Sequence, residues 1–211
     1  MSARVRALGR ADYTPVWRDM QAFTAERGAD TPDELWQVEH PPVFTLGLAG
    51  KREHLLRDIG VPVVESDRGG QVTYHGPGQV IVYAMIDLKR AGLGVRELVN
   101  RIEQAVIDLL AAHGVAAQRR SGAPGVYVGA GDGEAKIAAL GLRVKNGRTY
   151  HGVSLNVDMD LAPFAAINPC GYSGLRVTQT RDLGIAVPPE AMSAHLTAAL
   201  QRVLTEDKAQ P

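Results

Sequence analysis

Two periodicities divide this chain. Val95, Leu98/Val99, Ile102, Val106 and Leu109/Leu110 recur every three or four positions, which predicts an amphipathic helix with one core-facing stripe over residues 95–113. His113-Gly114 closes it, and the histidine is placed to complement the helix dipole. A second helical stripe runs through Val16/Trp17, Met20, Phe23/Thr24 and Arg27. Thr14 is its expected cap, Pro15 suits its first turn, and Gly28-Ala29-Asp30-Thr31-Pro32 breaks it. A third helix starts at Pro188-Pro189-Glu190 and sets Ala191, Ala194/His195, Ala198/Ala199 and Val203 on one face. Residues 205–211 are expected to fray.

Short β-branched runs bounded by breakers read as strands instead. These are residues 5–8, 35–39, 43–46, 116–120 and 126–128, with 61–64 and 80–86 expected as buried strands. His40-Pro41-Pro42 forces a bend between two of them. Residues 136–144 and 149–157 form a hairpin about Lys145-Asn146-Gly147. Residues 51–56 read as a charged connector or short helix, 129–133 as a surface turn and 158–166 as a short helix. Strands interleaved with helices and a hairpin predict an α/β (α+β) fold, a mixed sheet covered by helices. The 211 residues read as one domain, with a composition shift after about Ala166 that marks a small C-terminal unit from about residue 167.

Composition narrows the function classes. Hydrophobic residues make up 45% and charged residues 22%, enough apolar surface for a full core. Net charge is zero, so no global field favours nucleic acid or a membrane surface. Arg4, Arg6 and Arg10 are followed by no apolar h-region, and no run approaches a membrane span in length. A single cysteine forbids an internal disulfide, and the expected setting is cytosolic.

Polar, glycine and aromatic residues crowd most tightly in Arg68-Gly69-Gly70-Gln71-Val72-Thr73-Tyr74-His75-Gly76-Pro77-Gly78-Gln79, a connection between the strands at 61–64 and 80–86. Its glycines let a ligand approach the backbone, and Arg, Tyr and His in one short loop favour a ligand site over a plain turn. Cys170, in Ile167-Asn168-Pro169-Cys170-Gly171, is either a small core hydrophobe or a nucleophile in a Pro/Gly loop. Lys136 leads the apolar run Ile137-Ala138-Ala139-Leu140-Gly141-Leu142. It either snorkels to solvent or sets its ammonium beside the thiol, where it favours the thiolate and trades a proton with it. His151, in Tyr150-His151-Gly152-Val153-Ser154-Leu155-Asn156, carries the same ambiguity. His75, His151 and Cys170 lack zinc-ligand spacing, so no metal site is expected. Arg119-Arg120 reads as a solvated edge.

Taken together, these blocks resemble the octanoyltransferases of lipoate biosynthesis. The resemblance is carried by the segment from Arg68 to Gln79, by Lys136-Ile137-Ala138-Ala139-Leu140-Gly141, by His151-Gly152…Leu155-Asn156 and by Pro169-Cys170-Gly171, with His40-Pro41-Pro42-Val43-Phe44-Thr45-Leu46-Gly47 ahead of them. All lie in family order across about residues 35–180. The resemblance implies a biotin/lipoate protein ligase-like catalytic fold and transfer of octanoyl from octanoyl-acyl carrier protein to a lysine. The implied acceptors are lipoyl domains of 2-oxoacid dehydrogenases and the glycine cleavage H protein. By similarity, Cys170 is the acyl-accepting nucleophile and Lys136 its pKa-lowering partner and general acid/base. Arg68, Gly69, Gly70, Gln71, Val72, Thr73, Tyr74, His75, Ala139, Leu140, Gly141, His151, Gly152, Val153 and Ser154 are the expected substrate-binding residues. Val72, Tyr74 and the Ala139-Leu140-Gly141 segment suit the walls of an acyl slot, and Arg68 or Arg143 is a candidate to steer an acidic carrier. His75 is a candidate to position the reacting carbonyl, and backbone N–H groups near Gly70 or Gly141 to hold the oxyanion.

No cofactor is implied, and a monomer is expected. Three rivals stay open: an ATP-dependent lipoate or biotin protein ligase, a non-catalytic acyl- or carrier-binding protein, and an acyl-thioester hydrolase.

Overall fold

Seven consecutive buried residues over Gln79–Met85 leave no solvent face, so this strand belongs inside a sheet covered on both sides. The computed structural model describes residues 3–205, with Asp132 and Cys170 described by their backbone only. In chain order the elements are β1 (Arg4–Arg10), α1 (Tyr13–Glu26), β2 (Glu34–Glu39), β3 (Val43–Leu46), β4 (Val63–Glu65), β5 (Val72–His75) and β6 (Gln79–Met85). Next come α2 (Leu88–Ala91), α3 (Val95–Ala111), β7 (Ala117–Arg119), β8 (Gly125–Val128), β9 (Ala135–Lys145), β10 (Arg148–Asn156), β11 (Arg176–Val177) and α4 (Pro189–Thr205). The main sheet runs β1-β2-β6-β10-β9-β8-β7, with β11 beside β9, and a second sheet runs β4-β3-β5. The main sheet is mixed: β1 is parallel to β2 and β11 to β9, and the other pairings are antiparallel.

Side-chain alternation gives the main sheet two unlike faces. Val80, Val82, Val153 and Leu155 join Leu98, Ile102 and Val106 of α3 and Met192, Leu196 and Leu200 of α4 in the largest cluster. Ile81, Tyr83, Met85 and Tyr150 face the other way, under Val16 and Met20 of α1. A third cluster joins Phe44, Leu46, Val72 and Tyr74 of the small sheet to Phe164 and Ile167. Beyond residue 167, β11 returns to the main sheet and α4 packs beside α3 on the same core.

Several expectations need correction. Asp12, not Thr14, is the N-terminal boundary residue of α1, and it makes no side-chain cap bond. The strand at 61–64 is an edge strand, with Val63 41% exposed, because only β3 pairs with it. Residues 72–75 of the glycine-rich connection are themselves a buried strand. In α4 the core face is Met192, Leu196, Ala199, Leu200 and Val203, whereas Ala194, His195 and Ala198 face solvent. The alanines carried too little apolar surface to decide the helix rotation. The hairpin turn has Asn146 and Gly147 both at positive φ, the conformation a two-residue hairpin turn needs. The stretch from residue 206 onward lies outside the described residues.

Candidate functional site

Lys136 is only 3% exposed, so its side chain runs inward and does not snorkel. Its Nζ donates to the Pro124 carbonyl at 2.8 Å and lies 5.1 Å from the centre of the Tyr127 ring. An irregularity in the β8–β9 pairing between Val126 and Tyr127 falls opposite this stretch of β9. Gly125 makes room for the lysine: a Cβ there would fall 2.5 Å from Lys136 Cε and 3.0 Å from Nζ, and its φ of +130° suits glycine alone.

A cavity of about 320 Å³ opens alongside, within the range of small-molecule sites. Its lining includes Arg68, Gly69, Gly70, Gln71, Val72, Thr73 and His75 from the glycine-rich segment. Ala139, Leu140 and Gly141 of β9 and His151, Gly152, Val153 and Ser154 of β10 complete the expected set, Tyr74 excepted. Tyr74 points away from the face of β5 that carries Thr73 and His75 and is packed between Phe44 and Phe164, at the end of the strand beyond Val72. The glycine-rich segment closes down on the edge of β9: Gly69 N donates to the Leu142 carbonyl at 2.9 Å, and a Cβ on Gly141 would meet Gly69 O at 2.7 Å. Only glycine at 141 permits that approach. Exposed Val95 and Tyr172 also line the cavity and mark its solvent end.

Arg68 is a brace here, not a docking charge. Its guanidinium is buried and donates to Thr45 Oγ1 and to the carbonyls of Thr45, Gly69 and Gln71 at 2.6–3.0 Å. Those bonds fix the loop's curvature around the arginine. Arg143 is half-buried and leaves its Nε without a hydrogen-bond partner.

Histidines surround the inner part of the cavity. His40 donates from Nδ1 to the Ala11 carbonyl at 2.6 Å, so its Nε2 accepts from the Tyr83 hydroxyl at 2.7 Å. Burial pushes its pKa down to about 4. His75 Nδ1 meets Gln79 Oε1 at 2.7 Å, and burial, with His40 adding to it, pushes its pKa down to about 3. Gln79 donates onward to Asn156 Oδ1, Asn156 donates to the Thr178 carbonyl, and Thr178 N donates to the Lys136 carbonyl. His75 is thereby tied to the strand that carries Lys136.

His151 sits at φ +62°, a left-handed conformation unusual for a histidine and typical of functional sites. Its Nε2 donates to Asp67 Oδ1 at 3.0 Å. Burial lowers its pKa, against the pull of Asp67, so a neutral imidazole donates to a carboxylate. Trp17, Gln21 and Tyr150 also donate to Asp67. Burial alone would raise the Asp67 pKa, but the four donors outweigh it and hold the group well below the usual carboxylate range.

Cys170 lies in a 3₁₀ turn, Pro169–Gly171. Pro169 borders the same narrow cleft as Lys136, Thr73 and Ala139. Gly171 lies against Gln71 of the cavity wall, where a Cβ would come within 3.2 Å of Gln71 Cγ. Arg119 and Arg120 are more engaged than a solvated edge: Arg119 pairs with Glu103, and Arg120 pairs with Glu134 and lies over the Tyr172 ring. Sequence reasoning missed Asp67, Tyr13, Tyr83 and Tyr127. For Tyr83 and Tyr127 the available signal was a hydroxyl inside an otherwise apolar strand, which needs a buried partner; Asp67 and Tyr13 carried none.

The sequence matches the lipoyl protein ligase A/B catalytic domain family over residues 12–201. It is 64% identical over 200 residues to an octanoyltransferase of Aromatoleum aromaticum, with 95% of this chain and 85% of that protein covered. An octanoyltransferase of Thiobacillus denitrificans is 66% identical over 200 residues, with 95% and 90% covered. Among solved structures, lipoate-protein ligase A bound with ATP matches with a TM-score of 0.79 at 16% identity, over 100% of this chain and 89% of that one. A bi-partite lipoate protein ligase of Thermoplasma acidophilum matches with a TM-score of 0.77 at 16% identity, over 100% and 87%. At such identities the likeness is one of fold, and it matches the mixed sheet and covering helices expected from the sequence.

Proposed function

The chain belongs to the octanoyltransferases within the lipoyl protein ligase A/B catalytic domain family, and we propose that it moves an octanoyl group through Cys170 and Lys136. The donor is an octanoyl-acyl carrier protein thioester. The acceptor is a lysine of a lipoyl domain, as in 2-oxoacid dehydrogenases or the glycine cleavage H protein. The reaction takes place in the cytoplasm, in a single catalytic domain acting as a monomer. One observation carries this reading: the cavity bounded by the glycine-rich segment, β9 and β10 adjoins the carbonyl that holds Lys136 Nζ, and the Pro169–Gly171 turn abuts both.

The steps balance without an external energy source. Lys136 takes the Cys170 proton, and the thiolate attacks the donor carbonyl. The bond from that carbonyl to the carrier sulfur breaks, and Lys136 returns the proton to the departing thiol. The acceptor amine then attacks the new thioester, an amide forms, and Cys170 leaves as a thiolate. The amine's spare proton passes through Lys136 back to the sulfur. One thioester replaces another in the first step, so the stored reactivity that drives amide formation is conserved and ATP is not needed. Val99, Leu140 and Leu142, part-exposed on the cavity wall, offer apolar contact to the octanoyl chain, and the enclosure keeps water from the acyl-enzyme.

Intact-mass spectrometry after brief incubation with octanoyl-carrier protein, without ATP, tests the scheme. Wild type is expected to gain one octanoyl group and release it when lipoyl domain is added, whereas Cys170→Ser gains none and Lys136→Ala gains it at least ~10²-fold more slowly. Lipoyl-domain modification by Cys170→Ser would remove the nucleophile from the scheme. Transfer that appears only with free octanoate and ATP would make the protein a ligase.

A further inference from the structure

The residue that faces Lys136 across the sheet has no part in the scheme above. Tyr127 of β8 is fully buried, and its ring lies within the ~6 Å over which an aromatic face attracts an ammonium. Its hydroxyl donates to the Ala123 carbonyl at 3.1 Å. Ala123 immediately precedes Pro124, whose carbonyl takes the Lys136 Nζ hydrogen bond. One side chain thus touches the ammonium and also anchors the short strap that supplies the ammonium's carbonyl partner. Gly125, directly after that strap, is fixed in turn by donating its N–H to Glu103 Oε1 at 2.8 Å.

A lysine has a long, flexible stem and brings no positional accuracy of its own. Accuracy at Nζ must come from what surrounds it, and misplacement of a reacting group by ~1 Å costs roughly 10²-fold in rate. We propose that Tyr127 is a positioning residue for acyl transfer: its ring face and hydroxyl together hold Lys136 Nζ where it exchanges protons with the acyl-bearing sulfur. The inference rests on the role given to Lys136 above. A tyrosine that served packing alone would tolerate a ring of the same shape and altered electron density. One that seats an ammonium would not.

The test replaces Tyr127 with phenylalanine and then with phenylalanines carrying one, two and three ring fluorines. This series holds shape nearly constant while it weakens the ring's attraction for a cation. Initial rates of octanoyl transfer give kcat and KM, and thermal melts are recorded for every variant. Tyr127→Phe is expected to lower kcat a few-fold by freeing the strap. Each fluorine is expected to lower it again, to a total of roughly 10²-fold, with KM for the octanoyl carrier protein unchanged. A kcat that stays flat across the fluorinated series overturns the inference, as does a fall of equal size in the Lys136→Ala background. Lys136→Ala alone separates the two ideas. If it is impaired while the series is flat, only the role of Tyr127 fails. If it transfers at the wild-type rate, the role of Lys136 fails and that of Tyr127 with it.

Discussion

Gly125 carries three demands at once: a φ of +130°, a hydrogen bond to Glu103, and an empty volume through which the Lys136 side chain passes. A methyl group there would also fall 2.5 Å from the Ala138 carbonyl. Gly125→Ala is therefore expected to lose about 1–3 kcal/mol of stability from backbone strain and to slow octanoyl transfer by at least ~10-fold. Transfer kinetics alongside urea unfolding check both halves, and a full-rate enzyme would show that Nζ does not need this seat. Cys170 and Lys136 stood out in the sequence because each interrupts its local pattern, a thiol in a Pro/Gly loop and a charge at the head of an apolar strand. Tyr127 and Asp67 did not. A tyrosine in a strand and an aspartate before an arginine look ordinary until distant residues converge on them, as Trp17, Gln21, Tyr150 and His151 do on Asp67.

At the scale of elements, long periodic segments were legible and short ones were not. The stripe of α3 and the Asn146-Gly147 hairpin turn are set by local physics and appear where the sequence puts them, except that Val95, at the start of the stripe, is exposed at the cavity mouth. β5 was hidden because its four residues lie inside a run rich in glycine, and their strand character comes from pairing with β3. β11 spans two residues and exists only because β9 offers it a free edge. The rotation of α4 was misread where its alanines outnumber its large side chains. The α3 stripe carries a quantitative expectation: Ile102 is fully buried among residues of both helices and the sheet, so Ile102→Ala should cost about 2–5 kcal/mol. Because Ile102 does not line the cavity, KM for the carrier substrate should hold at temperatures where the variant stays folded. Chemical denaturation and steady-state kinetics on one preparation measure the two together.

For the molecule as a whole, the buried histidines set an acid limit on stability. His40 and His75 titrate in the folded protein at about 4 and about 3, below the 6.5 of an ordinary histidine. Between those values the unfolded chain binds more protons than the folded one, so stability falls as pH drops through 6.5. Asp67 acts in the same direction at lower pH, since its depressed pKa adds stability that is lost as pH falls through the ordinary carboxylate range. Unfolding free energies from urea titrations at pH 6.5 and pH 5 should differ by about 1–2 kcal/mol per histidine, and His75→Gln should flatten the slope. Equal free energies at the two pH values would mean that the histidines are already solvated.

The pairing of β11 with the start of β9 has a consequence for how the protein is made. Residues 176–177 leave the ribosome about forty residues after Lys136, and α4, which closes the main core, emerges last. A nascent chain that has extruded the glycine-rich segment and the β9–β10 hairpin holds the cavity walls those strands provide but lacks the Pro169–Gly171 turn, Tyr172 and β11. Synthesis therefore completes the reactive corner after the strands that wall the cavity, and closes the main core later still. On the role proposed for Cys170, a chain arrested before residue 170 would take no acyl group from a carrier.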